Sequence, residues 1–89
     1  MKIDLQESMT RHGMKALITI GPYGVQSHFA VIRPYVGGTM VGQRWEVKTR
    51  MASTSSTRYR VFYTYDSALS YSMRWAKSTV KQLAKRAAA

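Results

Sequence analysis

Cysteine is absent from this chain of 89 residues. Disulfide staples, thiolate zinc sites and cysteine nucleophiles are therefore excluded. The lack of staples in so small a chain fits a reducing, cytosolic setting. Acids are nearly as scarce, since Asp4, Glu7, Glu46 and Asp66 are the whole set. A two-metal nuclease needs clustered carboxylates, and paired acid–base chemistry needs two in one cleft. These four are scattered along the chain. His12 and His28 are the only imidazoles and lie far apart, with no thiolate to complete a zinc site. His28 alternates with Phe29 and reads as a structural side chain, face-exposed or half-buried. Gly21-Pro22-Tyr23-Gly24 lacks the Lys and Gly spacing of a phosphate loop, and no serine sits in a nucleophile motif. A non-enzyme is expected, with no catalytic residue, metal ligand or cofactor. No apolar run reaches the roughly 18 residues of a membrane span, and the acids in MKIDLQESMTRHG displace the apolar stretch of a signal peptide.

What the chain has in excess is positive charge: 14 Lys and Arg against 4 Asp and Glu, a formal net charge of +10. The excess is uneven. Residues 1–32 hold three basic side chains against two acids, and residues 33–89 hold eleven against two. Self-repulsion of this size opposes folding, and a bound polyanion relieves it. The chain is 45% hydrophobic, with two Trp and six Tyr, which suits one folded domain over 1–89 rather than a disordered tail.

The expected fold class is α+β: a four-stranded antiparallel meander, a C-terminal amphipathic helix on one face, and a short N-terminal helix or extended arm over 1–13. Asp4 and Glu7 have capping-box spacing, and His12-Gly13 resembles a helix end, which predicts a helix over about 5–12. Ile3 and Leu5 support the extended alternative. Strands are expected at 15–20, 25–33, 40–51 and 58–65, within a sheet region of 14–65. Gly21-Pro22-Tyr23-Gly24, the hairpin signal Gly37-Gly38 and the Ser/Thr-rich 52–57 separate them, the last as the most flexible segment. Asp66 or Ser67 is expected to cap a helix over 66–86. Leu69, Met73, Ala76, Val80, Leu83 and Ala87 form its apolar stripe, within about 40° of one line at the helical period.

Strand alternation gives the charge a direction. Trp45, Val47 and Met51 point one way, and Arg44, Glu46, Lys48 and Arg50 the other. Tyr59, Val61 and Tyr63 share a face, and Arg58, Arg60 and Phe62 its opposite. Placing the helix on the aromatic faces puts Trp45, Tyr59 and Tyr63 in the core. It leaves Arg44, Lys48, Arg50, Arg58 and Arg60 together on the open face, with Phe62. Arg74, Lys77, Lys81 and Lys85 form a second basic stripe along the helix, and Tyr71 and Trp75 lie opposite the apolar stripe. Rings beside cations can stack on unpaired bases.

Three strands followed by Tyr-Asp-Ser-Ala and an amphipathic helix resemble the three-stranded-sheet-plus-helix domains of AP2 and integrase-arm type. That resemblance implies an open sheet face laid into a DNA groove, although the family's Glu-rich helix start is missing. The helix–strands–helix order is also similar to double-stranded-RNA-binding domains, whose loop histidine has no counterpart in Gly21-Pro22-Tyr23-Gly24. Neither resemblance identifies a family. The leading expectation is a nucleic-acid-binding protein gripping phosphates with these Arg and Lys residues. The alternative is a phage- or mobile-element-type inhibitor or adaptor docking on an acidic host protein, with Phe62, Tyr71 and Trp75 as anchors, acting in the host cytoplasm. A homodimer through an unpaired sheet edge is a further expectation. Peripheral membrane binding by the last helix ranks below these, because its apolar stripe suits packing on the sheet.

Overall fold

The computed structural model describes residues 2–11, 13–21, 28–35, 43–51 and 56–88. Five strands precede one helix: β1 (Lys2–Thr10), β2 (Gly13–Gly21), β3 (His28–Pro34), β4 (Trp45–Met51), β5 (Ser56–Phe62) and α1 (Tyr65–Ala88). The strands form one antiparallel sheet in chain order, with α1 across one face. The α+β meander is therefore as expected, with one strand more.

The extra strand is the N-terminal segment. Lys2 to Thr10 pairs residue by residue with Gly21 to Gly13, so the helix predicted over 5–12 does not form. Ile3, Leu5 and Met9 recur at period two and share a face with Ile20, Ile18 and Met14, an alternation that outweighs the capping-box spacing. Thr10 donates its hydroxyl proton to the Gly13 carbonyl oxygen (2.7 Å), and Gly13 has φ 133°, a conformation that favours glycine. Gly13 thus turns a hairpin rather than ending a helix. The expectations for His12, Pro22-Tyr23-Gly24, Gly37-Gly38 and residues 52–55 lie outside the described residues, whereas Ser56 and Thr57 belong to β5.

The core is the middle of the sheet. Ala16, Ile18, Ile20, Ala30, Ile32 and Val47 are at most 1% exposed, facing α1 from β2, β3 and β4. His28, expected to be half-buried at most, lies with them, 4% exposed. On α1 the most buried line is Ala68, Ser72, Ala76, Thr79 and Leu83. At the helical period its centre lies about 60° from the predicted apolar stripe. Small side chains on the contact line let the helix approach the sheet closely. Leu69 and Met73 flank it on one side, and Tyr71 and Trp75 on the other, all packed against the buried clusters. The buried hydroxyls bond back along the helix, Ser72 to the Ala68 carbonyl and Thr79 to that of Trp75, both at 2.8 Å.

Thr64 caps α1, ahead of the expected Asp66 or Ser67. Its Oγ1 accepts a hydrogen bond from the Ser67 amide (3.1 Å), and Asp66 complements the helix dipole from the first turn. Tyr65 donates its phenol proton to Glu7 Oε2 (2.6 Å), tying the start of the helix to β1. Trp45 is core-packed as expected, edge-on to Tyr65 with ring centroids 6.3 Å apart. Among the described residues, no helix is long and apolar enough to cross a membrane.

Candidate nucleic-acid interface

The register of β4 against β5 decides where the arginines go. Met51 pairs with Ser56, so odd-numbered residues of β4 oppose even-numbered residues of β5. Val47 faces Arg60, Thr49 faces Arg58, and Trp45 faces Phe62. Cross-strand partners share a face, and Val47 and Thr49 are buried toward the helix. Arg58, Arg60 and Phe62 therefore lie on the helix side of the sheet, contrary to the open-face expectation. Their neighbours Tyr59 and Tyr63, expected in the core, are 57% and 75% exposed on the opposite side.

The reason is the reach of the helix. α1 covers the middle strands, and β5 runs along the margin, exposed on nearly every residue. A strand beyond the helix needs no apolar face, so arginine is tolerated on the side where the central strands carry Ile and Val. Arg60 illustrates the accommodation. Phe62 and Tyr71 pack at 5.2 Å between centroids, and the Arg60 guanidinium lies 5.0 Å from the Tyr71 centroid and 5.6 Å from that of Phe62. Its charge stays at the surface while its planar head rests on both rings.

Between β5 and the flank of α1 runs a groove of about 700 Å³. Arg58 and Arg60 line it from the strand, and Tyr71, Arg74, Trp75 and Gln82 from the helix. Among the described residues no carboxylate lines it, and none of its three arginines is in an ion pair. Ser56 and Ser78 add hydroxyls to its walls. Tyr71 and Trp75, placed opposite the apolar stripe by sequence reasoning, instead flank the buried line and form the half-buried wall of this groove.

The remaining predicted residues lie elsewhere. Lys48 and Arg50 stay on the open face, paired with Tyr59 and Thr57. Lys48 Nζ lies 6.0 Å from the Phe29 centroid and 5.9 Å from that of Tyr59. Arg44, just before β4, stacks 4.4 Å over Tyr63. Glu46 is held by Arg33, which donates to Oε1 from Nε (2.8 Å) and Nη2 (2.6 Å). The one acid of that strand is thus matched by an arginine that composition alone did not single out. Lys77, Lys81 and Lys85 are exposed on the back of α1, away from its buried line. Arg74 begins that stripe and joins it to the groove.

The twelve predicted cationic and aromatic contacts thus separate, with Lys77, Lys81 and Lys85 on the back of α1. Arg58, Arg60, Phe62, Tyr71, Arg74 and Trp75 come together beside the helix, whereas Arg44, Lys48 and Arg50 stay behind on the open face. No family model matches the chain, and comparison with curated proteins and solved structures finds no match. Three guanidiniums around one concave surface, backed by two rings, offer planar forks that suit bidentate contact with phosphate-type oxyanions better than a lysine cluster would.

Proposed function

We propose that this chain binds nucleic acid, with the groove between α1 and β5 as the principal phosphate-contacting surface. The observation that carries the reading is the gathering of Arg58, Arg60 and Arg74 on one concave surface without a carboxylate. The net charge of +10 supports it, since a polyanion relieves the self-repulsion and releases its own counterions. Lys81 and Lys85 extend the positive surface along the helix from Arg74. Lys48, Arg50 and the Arg44–Tyr63 stack supply a weaker contact area on the other side of the same sheet margin.

Fluorescence titration of duplex and single-stranded oligonucleotides at several salt concentrations tests this. Affinity should fall steeply with salt, and replacing the three groove arginines by alanine should lower the log–log slope by about 3. A shallow salt dependence in the native chain, or no binding near physiological salt, rejects the reading. A protein retained from nuclease-treated lysate through moderate salt, with no oligonucleotide binding, would favour an acidic protein partner instead.

A further inference from the structure

The two margins of the sheet are unlike, and the difference identifies a second interaction surface. Edge strands expose unpaired N–H and C=O groups, and proteins that remain monomeric blunt them with central charges, prolines or bulges. β5 carries Arg58 and Arg60. β1 has no proline and no bulge, since its nine residues pair with β2 without interruption; its one cation, Lys2, sits at its end, and of its two acids Glu7 is engaged by the Tyr65 hydroxyl. The helix leaves most of its inner face bare, with Leu5 36% and Met9 71% exposed. Lys2, Asp4 and Glu7 also make β1 slightly acidic within a chain of +10. It is the margin where a second copy meets the least repulsion.

We infer that β1 pairs with β1 of a second copy, extending two five-stranded sheets into one antiparallel sheet of ten strands. A two-fold axis normal to the sheet relates the copies, so both helices lie on the same side. Full overlap of the nine residues places Gln6 opposite Gln6 of the second copy and preserves about eight main-chain hydrogen bonds. Ile3 then faces the second copy's Met9, Leu5 faces its Glu7, Asp4 faces its Ser8, and Lys2 faces its Thr10. No like charges stand directly opposite, and the exposed apolar side chains of the inner face gain cover. The two arginine grooves end up on opposite rims of the assembly.

Because the native chain has no thiol, single cysteines report the pairing directly. At the two-fold, Cα atoms of opposed residues are about 4.5–5.5 Å apart, within disulfide reach. Gln6→Cys should oxidise rapidly to a covalent dimer. Ser8→Cys, displaced from the axis, should not. Sedimentation velocity of the native chain should show a concentration-dependent dimer, with Leu5→Arg/Met9→Arg weakening it by about tenfold or more while circular dichroism stays native. A native chain monomeric up to millimolar concentration, or Gln6→Cys cross-linking no faster than Ser8→Cys, overturns the proposal.

Discussion

β1 and β5 occupy equivalent positions at the two ends of one sheet, and both are exposed along most of their length. They manage that exposure in opposite ways. β5 carries Arg58 and Arg60 toward the flank of α1, where Tyr71 and Phe62 support a guanidinium and Arg74 adds a third. β1 carries charges of both signs that nearly cancel, Lys2 against Asp4 and Glu7, and keeps Leu5 and Met9 on its surface. Exposure by itself therefore says little about what a sheet edge is for. Charge on the edge repels a second strand and attracts a polyanion, whereas near-neutrality with apolar side chains leaves the ladder open to another copy.

The largest expected effect strikes β5 alone. Arg58→Glu/Arg60→Glu/Arg74→Glu should weaken oligonucleotide binding by about a thousandfold, read by anisotropy, while Lys2→Glu on β1 changes it by about twofold or less. Comparable losses from both variants would mean that total charge, not the groove, governs binding. The next effect lies between the margins. Ile32→Ala removes a fully buried side chain from the strand at the sheet's centre and should cost about 3 kcal/mol in chemical denaturation. Val61→Thr on β5 should stay within about 0.5 kcal/mol, since that side chain is 44% exposed.

Tyr65 links the helix to the β1 side, and its effect is smaller. Tyr65→Phe should destabilise by about 1 kcal/mol at neutral pH through loss of the bond to Glu7. Burial first, then the hydrogen bond and negative charge of Glu7, raise the Tyr65 phenol well above the ordinary tyrosine range. Above pH ~10 the unfolded chain has released this proton and the folded chain has not. Stability then falls as pH rises toward the folded value, and Tyr65→Phe should show a flatter alkaline limb in pH-dependent melting. Smallest of all is Lys77→Ala on the back of α1. It should reduce binding by about twofold or less, and a larger loss would move the interface from the groove to the outer helix.

Much of the fold was legible because hydrophobic period is a local property. The alternation in 15–20 and 45–51 and the helical spacing after Asp66 each declare an element without reference to any other. β1 was harder, because Asp4 and Glu7 satisfy a helix-start pattern while Ile3, Leu5 and Met9 satisfy a strand. Pairing with β2 over nine residues settled the conflict. The candidate site was legible in its residues and misread in its sides. Arg58 and Arg60 alternate with Tyr59 and Val61, and composition favours turning the aromatic set inward. That preference holds only for a strand under the helix, and how far the helix reaches across the sheet toward β5 is not a local fact. The offset of the helix contact line has a similar cause. Ala68, Ser72 and Thr79 earn burial through close approach to the sheet, which their modest hydrophobicity does not signal.

By itself, then, the sequence determined an excess of basic residues over 33–89, a chain with no cysteine and only four carboxylates, and a set of strands ending in one amphipathic helix. Tertiary structure alone decided which arginines meet. Pairing Met51 with Ser56 links odd positions of β4 to even positions of β5, and an offset of one residue would have sent Arg58 and Arg60 to the other face. Side chains alternate along a strand, but only the neighbouring strand says which alternate set faces the helix.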